Sequence, residues 1–94
     1  MRLKLRYTYN DSIMVLDEMP NEADIEFEVQ IKDDRYWAGM KAVQRFFEEN
    51  EVYTDVLFYP FENRKFRIIV REDHYAAFIL CLMKHQLLDK VEWV

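Results

Sequence analysis

Polar and apolar residues alternate strictly at the start of the chain. Leu3, Leu5, Tyr7 and Tyr9 fall on one side, and Arg2, Lys4, Arg6 and Thr8 on the other. That period of two predicts a half-buried strand over residues 2–9. A short second strand is expected over 13–17. Alternation returns over 24–32, with Ile25, Phe27, Val29 and Ile31 inward and Glu26, Glu28, Gln30 and Lys32 outward. The period then changes: Tyr36, Met40, Val43 and Phe47 recur at helical spacing with Phe46 beside them, predicting a helix from Arg35 to about Glu49. Asp33-Asp34 sets acids at its positive end and Asn50 supplies a stop. Gly39, on the apolar side, implies a close helix–sheet approach.

Residues 52–59 and 65–71 read as a hairpin around 60–64. Its inward sets are Val52, Thr54, Val56, Phe58 and Phe66, Ile68, Val70. Glu72-Asp73 opens a second helix ending near Leu87, with Lys84 and His85 suited to its negative end. Its core arc is expected to hold Tyr75, Ala76, Ile79, Leu80, Leu82, Met83 and Leu87. Val91–Val94 is β-prone and closes the series. The expected fold is therefore one α+β domain over residues 1–94. It comprises a ferredoxin-like βαββαβ two-layer sandwich (residues 24–94) and an additional N-terminal strand or hairpin. In that arrangement strand 24–32 lies beside strand 65–71, setting Glu26 and Glu28 against Arg67 and Arg71. The basic face of strand 2–9 could meet the same acids, so two neighbours stay open. With a single glycine, turns must rest on Asn10-Asp11-Ser12, Pro20-Asn21, Asn50 and Glu62-Asn63.

Composition narrows the class. A chain of 94 residues that is 51% hydrophobic and 16% aromatic can build one core, which excludes wholesale disorder. Cys81 is the one cysteine, so no intramolecular disulfide forms and a reducing compartment is expected. The opening residues alternate charge and lack a leader-type apolar stretch. The longest apolar run, Tyr75 to Met83, falls short of the roughly 20 residues that cross a bilayer. A cytoplasmic protein without membrane attachment is expected. Net charge is −5 and unevenly spread. Asp11, Asp17, Glu18, Glu22, Asp24, Glu26 and Glu28 lie between Asn10 and Ile31 with no Lys or Arg among them. Basic residues gather instead at Arg2, Lys4, Arg6 and at Arg64, Lys65, Arg67, Arg71. An acidic total disfavours nucleic-acid binding. The stretch Arg64–Val70 also has no glycine and one aromatic, Phe66, where an RNA-binding third strand requires glycine and several aromatics.

Candidate chemistry is sparse. His74, Phe78, Cys81 and His85 share one arc of the second helix, and Cys81 and His85 stand at i,i+4, the spacing of a Cys–His dyad. A metal would need further ligands, because His74 and His85 are about 16 Å apart along the helix. The plainer reading of this stripe is a surface covered by the N-terminal extension or a second subunit. Asp17-Glu18, Asp33-Asp34 and Glu48-Glu49 are paired only in sequence, and neighbours do not face one another on a helix or strand. No glycine-rich phosphate loop is possible, and Ser12 is the only serine. No catalytic residue, cofactor or metal is assigned.

Surfaces are better represented. Trp37 falls off the first helix's core stripe, Phe61 tips the hairpin, and Tyr53, Leu57 and Tyr59 face outward with Ile69. This face could be a subunit interface or could be covered by the N-terminal strand. The acids Asp17, Glu18, Glu22, Asp24, Glu26 and Glu28 form a second candidate interface. The sequence supports a cytoplasmic, non-enzymatic protein-binding or regulatory module, of inhibitor or immunity type or an assembly subunit. It would act through a protein partner or self-association. The alternative is a homodimeric ligand-binding domain or small enzyme, its pocket lined by aromatics and the His74/Phe78/Cys81/His85 stripe.

Overall fold

The computed structural model describes residues 5–50, 52 and 55–94. Leu3, Tyr53 and Thr54, with the basic residues Arg2 and Lys4, lie outside them. The described residues form six strands and two α-helices: β1 (Leu5–Thr8), β2 (Met14–Asn21), β3 (Asp24–Ile31), α1 (Trp37–Glu49), β4 (Val56–Phe61), β5 (Lys65–Arg71), α2 (Tyr75–Lys84) and β6 (Lys90–Trp93). From β3 onward the order is the ferredoxin-like βαββαβ, preceded by two N-terminal strands.

The strands divide into two antiparallel sheets. The main sheet runs β2-β3-β5-β4, and β1 pairs with β6 in a separate ribbon. The place beside β3 is thus held by β2, and the closing strand joins β1 instead. Chain geometry explains the exchange. β2 and β3 are joined by only Glu22 and Ala23 and pair from Met14↔Ile31 to Asn21↔Asp24. So short a connection closes at little entropic cost and occupies the β3 edge. β2 also runs past the strand expected at 13–17, and the turn falls after Pro20-Asn21 rather than on it. Glu22 adopts the left-handed φ of 57° that this turn requires.

Both helices pack on one face of the main sheet. Met40, Val43 and Phe47 of α1 are buried, as their spacing predicts. Asp33 caps the turn before α1, its carboxylate accepting from the Arg35 N–H at 3.0 Å. At the other end the Asn50 side chain accepts from the Val52 N–H at 2.9 Å. Val52, placed inward by alternation, is 72% exposed, because β4 begins only at Val56. Gly39 approaches helix rather than sheet: a Cβ there would lie 3.3 Å from the carbonyl oxygen of His85, just beyond α2.

α2 is rotated from the expected direction. Phe78 and Cys81 are buried with Ile79 and Leu82, while Leu80 and Met83 face solvent. Nearly every residue of α2 is apolar, so periodicity gives no preferred face. Aromatic packing sets it. The Phe78 ring lies 4.8 Å from Phe27, 5.9 Å from Phe47 and 6.4 Å from Phe58, at the centre of the core. α2 ends in a Schellman turn: Leu87 N–H donates to Leu82 O and Gln86 N–H to Met83 O, both at 3.0 Å. Gln86 takes the left-handed position with φ 63°. Among the described residues no polar or charged residue is buried.

Candidate functional site

With the helices on one side, the other face of the main sheet is left without a covering layer among the described residues. Strand alternation decides its composition. Leu57, Tyr59 and Phe61 alternate with the buried Val56 and Phe58, and Arg67 and Ile69 with the buried Phe66, Ile68 and Val70. Val15, Asp17 and Met19 come from β2, and Glu26, Glu28 and Gln30 from β3. The register sets these side chains in rows across the sheet. One row is Val15, Gln30, Lys65, Phe61; the next is Asp17, Glu28, Arg67, Tyr59; the third is Met19, Glu26, Ile69, Leu57. Asp24 and Arg71 continue the two central columns.

An acidic column on β3 therefore adjoins a mainly basic one on β5, as expected. The Arg67 guanidinium lies 3.3 Å from Glu28 and 3.5 Å from Glu26. Arg71 turns to Asp55 at 3.1 Å. Asp17 sits directly opposite Glu28, a like-charged pair, and no cation among the described residues pairs with Asp17. Outside the charged columns the face is apolar but for Asp17. Met19 is 42% exposed, Leu57 45%, Tyr59 46% and Phe61 53%. A shallow depression of about 760 Å³ lies among Glu28, Phe61, Lys65 and Arg67. Arg67 also lies over the Phe61 ring at 5.8 Å.

The N-terminal strand does not cover this face. β1 and β6 pack at the helix side beside β2, where Leu5 is buried and Tyr7 and Tyr9 rest against the core. There the phenols of Tyr7 and Tyr75 both donate to one oxygen of Glu18, at 2.8 and 2.9 Å. Burial, then the hydrogen bond to Glu18 and its negative charge, raises both phenols well above their ordinary 10.0. Glu18 thus joins the ribbon, the hairpin and α2. Its role was missed in the sequence, where it reads as one more solvated acid. The available signal was position: 14, 16 and 18 share a strand face, and that face turns inward. A cleft of about 520 Å³ opens beside this cluster, with Glu18, Glu22, Asp24, Glu72 and Asp73 above Leu5, Ile25 and Trp93. Its charge favours cations over anions.

The acids named as an interface are consequently divided. Asp17, Glu26 and Glu28 belong to the open face, Glu18 and Glu22 line the cleft, and Asp24 touches both. Trp37 belongs to neither: it is half-buried, stacked on Phe66 at 5.7 Å, with the Lys41 ammonium 5.8 Å away. The stripe on α2 is split in depth. Phe78 and Cys81 lie within the core, whereas His74 and His85 flank the two ends of the helix and are half-buried. Burial pushes the Cys81 thiol up, which makes it a poorer nucleophile. No group of three or more His, Cys, Asp or Glu among the described residues could hold a metal ion. No helix among them is long and apolar enough to cross a membrane. In comparison with known proteins, no family model, curated protein or solved structure matches this chain.

Proposed function

We propose that this protein is a cytoplasmic binding module that acts by presenting the open sheet face to another protein surface, in a regulatory, inhibitory or assembly role. One observation carries the reading: Met19, Leu57, Tyr59 and Phe61, each at least 42% exposed, flank a ladder of paired charges on one side of a single sheet. Apolar and tyrosine flanks around an oriented charge pattern suit an interface, where the rings contribute affinity and the charges set register. Both sheet edges carry a proline, Pro20 in β2 and Pro60 in β4. Each removes a backbone donor and discourages edge-to-edge strand addition, which favours the face as the contact. A reducing compartment suits a lone thiol that sits within the core.

Hydroxyl-radical footprinting in native extract, compared with the purified protein at high dilution, tests this reading. Leu57, Tyr59 and Phe61 are expected to be protected in extract, and Leu57→Lys to remove protection at the other two. Equal labelling in both samples would overturn the proposal.

A further inference from the structure

The open face is complementary to itself in most of its rows, the mismatch being Glu26, which falls on Ile69 when β3 is laid over β5. We infer that its occupant is a second copy of this chain, packed face to face about a twofold axis running along the strands between β3 and β5. This rests on the face being an interface at all and names its partner. The register supplies the argument. A twofold axis of that direction, lying between the two faces, sets β3 of one copy over β5 of the other and β2 over β4, with rows kept level. Glu28 then meets the partner's Arg67, Asp24 meets the partner's Arg71, and Met19 meets the partner's Leu57. Val15 falls on the partner's Phe61, and Asp17 on the partner's Tyr59, whose hydroxyl can donate to it.

The like-charged pair of Asp17 and Glu28 thereby gains a hydrogen-bond donor and a cation. The axis at right angles, also lying between the faces, sets β3 over β3 and acids over acids. Charge therefore selects one of the two arrangements. Sheet twist rotates the packed faces by about 30° and keeps the central rows closest to level. Four strands about 4.8 Å apart and three rows give a footprint at the low end of specific interfaces. The dimer is accordingly a weak one, dissociating in the micromolar range.

Sedimentation equilibrium from micromolar to millimolar protein, with a cysteine pair to report geometry, tests this. The wild type should pass from monomer to dimer, and Leu57→Lys should weaken the dimer by about tenfold or more while circular dichroism stays native. Met19→Cys with Leu57→Cys should oxidise to a covalent dimer whose linked peptides join position 19 to position 57. Facing sheets carry such inter-sheet disulfides in immunoglobulin domains. Within one chain those positions are roughly 14 Å apart, three strand spacings, too far for an internal bond. Leu57→Cys alone should not link, because the two β4 strands lie on opposite sides of the axis. A monomer at millimolar concentration, a dimer indifferent to Leu57→Lys, or a 57-to-57 link would each overturn the inference. A monomer whose face is still protected in extract overturns only the choice of partner, whereas a monomer without protection overturns the binding-face reading as well.

Discussion

Alkaline pH offers a sharp test of how the ribbon is held to the rest of the molecule. Tyr7 and Tyr75 donate to the same Glu18 oxygen, and both phenols are held protonated above their ordinary 10.0. An unfolded chain releases those two protons as pH passes about 10, while the folded chain keeps them. The folded state then binds more protons than the unfolded, so stability falls as pH rises. The contribution is complete below about pH 10 and disappears as pH climbs through the raised values. Each phenol contributes a slope of at most about 1.4 kcal/mol per pH unit, so the pair costs at most about 2 kcal/mol between about pH 10 and pH 11, reduced by solvent screening at these partly exposed sites.

Urea unfolding followed by circular dichroism at a series of pH values measures this directly. The Tyr7→Phe, Tyr75→Phe double variant separates the two phenols from the other titrating groups. At about pH 8 it should be less stable by about 2 kcal/mol, one hydrogen bond's worth at each partly exposed site. Approaching about pH 11 the two stability curves should converge. Phenolate absorbance of the native wild type should meanwhile show two tyrosines silent until the fold is lost. If all tyrosines of the folded protein titrate together near the ordinary value, the Glu18 clamp is not formed as described.

Three further outcomes follow from the packing. Phe78→Ala removes the ring at the centre of the aromatic cluster and should cost about 3–5 kcal/mol, read by urea unfolding; a loss under about 1 kcal/mol would place the ring outside the core. Gln86→Gly relieves the left-handed position of the Schellman turn and should add about 0.5–1 kcal/mol, whereas destabilisation would contradict the turn geometry. Cys81 should react with a thiol reagent about a hundredfold or more slowly in the native protein than in urea, and rapid native labelling would refute its burial.

Strand alternation made β1, β3, β4 and β5 legible, because each has one wet and one dry face. The cross-strand partnership of Glu26 and Glu28 with Arg67 followed from the same reasoning. The far half of β2 was hidden because Asp17-Glu18 and Pro20-Asn21 read as a turn, although 15, 17 and 19 continue the alternation. Being an edge strand, β2 tolerates a proline that a central strand would not. The direction of α2 was illegible for a different reason. A helix with apolar residues all round leaves its buried face to be set by Phe27, Phe47 and Phe58, which only the assembled core brings together. The packing of Trp37 was illegible because its partner, Phe66, lies on a distant strand. On the open face, Leu57, Tyr59 and Ile69 were readable from alternation alone; Phe61, which reads as the hairpin tip, is the last residue of β4, and Val15 and Met19 required knowing that β2 occupies the β3 edge.

The ribbon ties Leu5 to Trp93, nearly the whole length of the chain apart. Closing it brings together residues that far apart, whereas only Glu22 and Ala23 join β2 to β3, so the ribbon carries much the larger loop-closure entropy. With four residues in each strand to offset that cost, the ribbon is the pairing most readily opened, and its backbone amides should exchange with solvent before those of the main sheet.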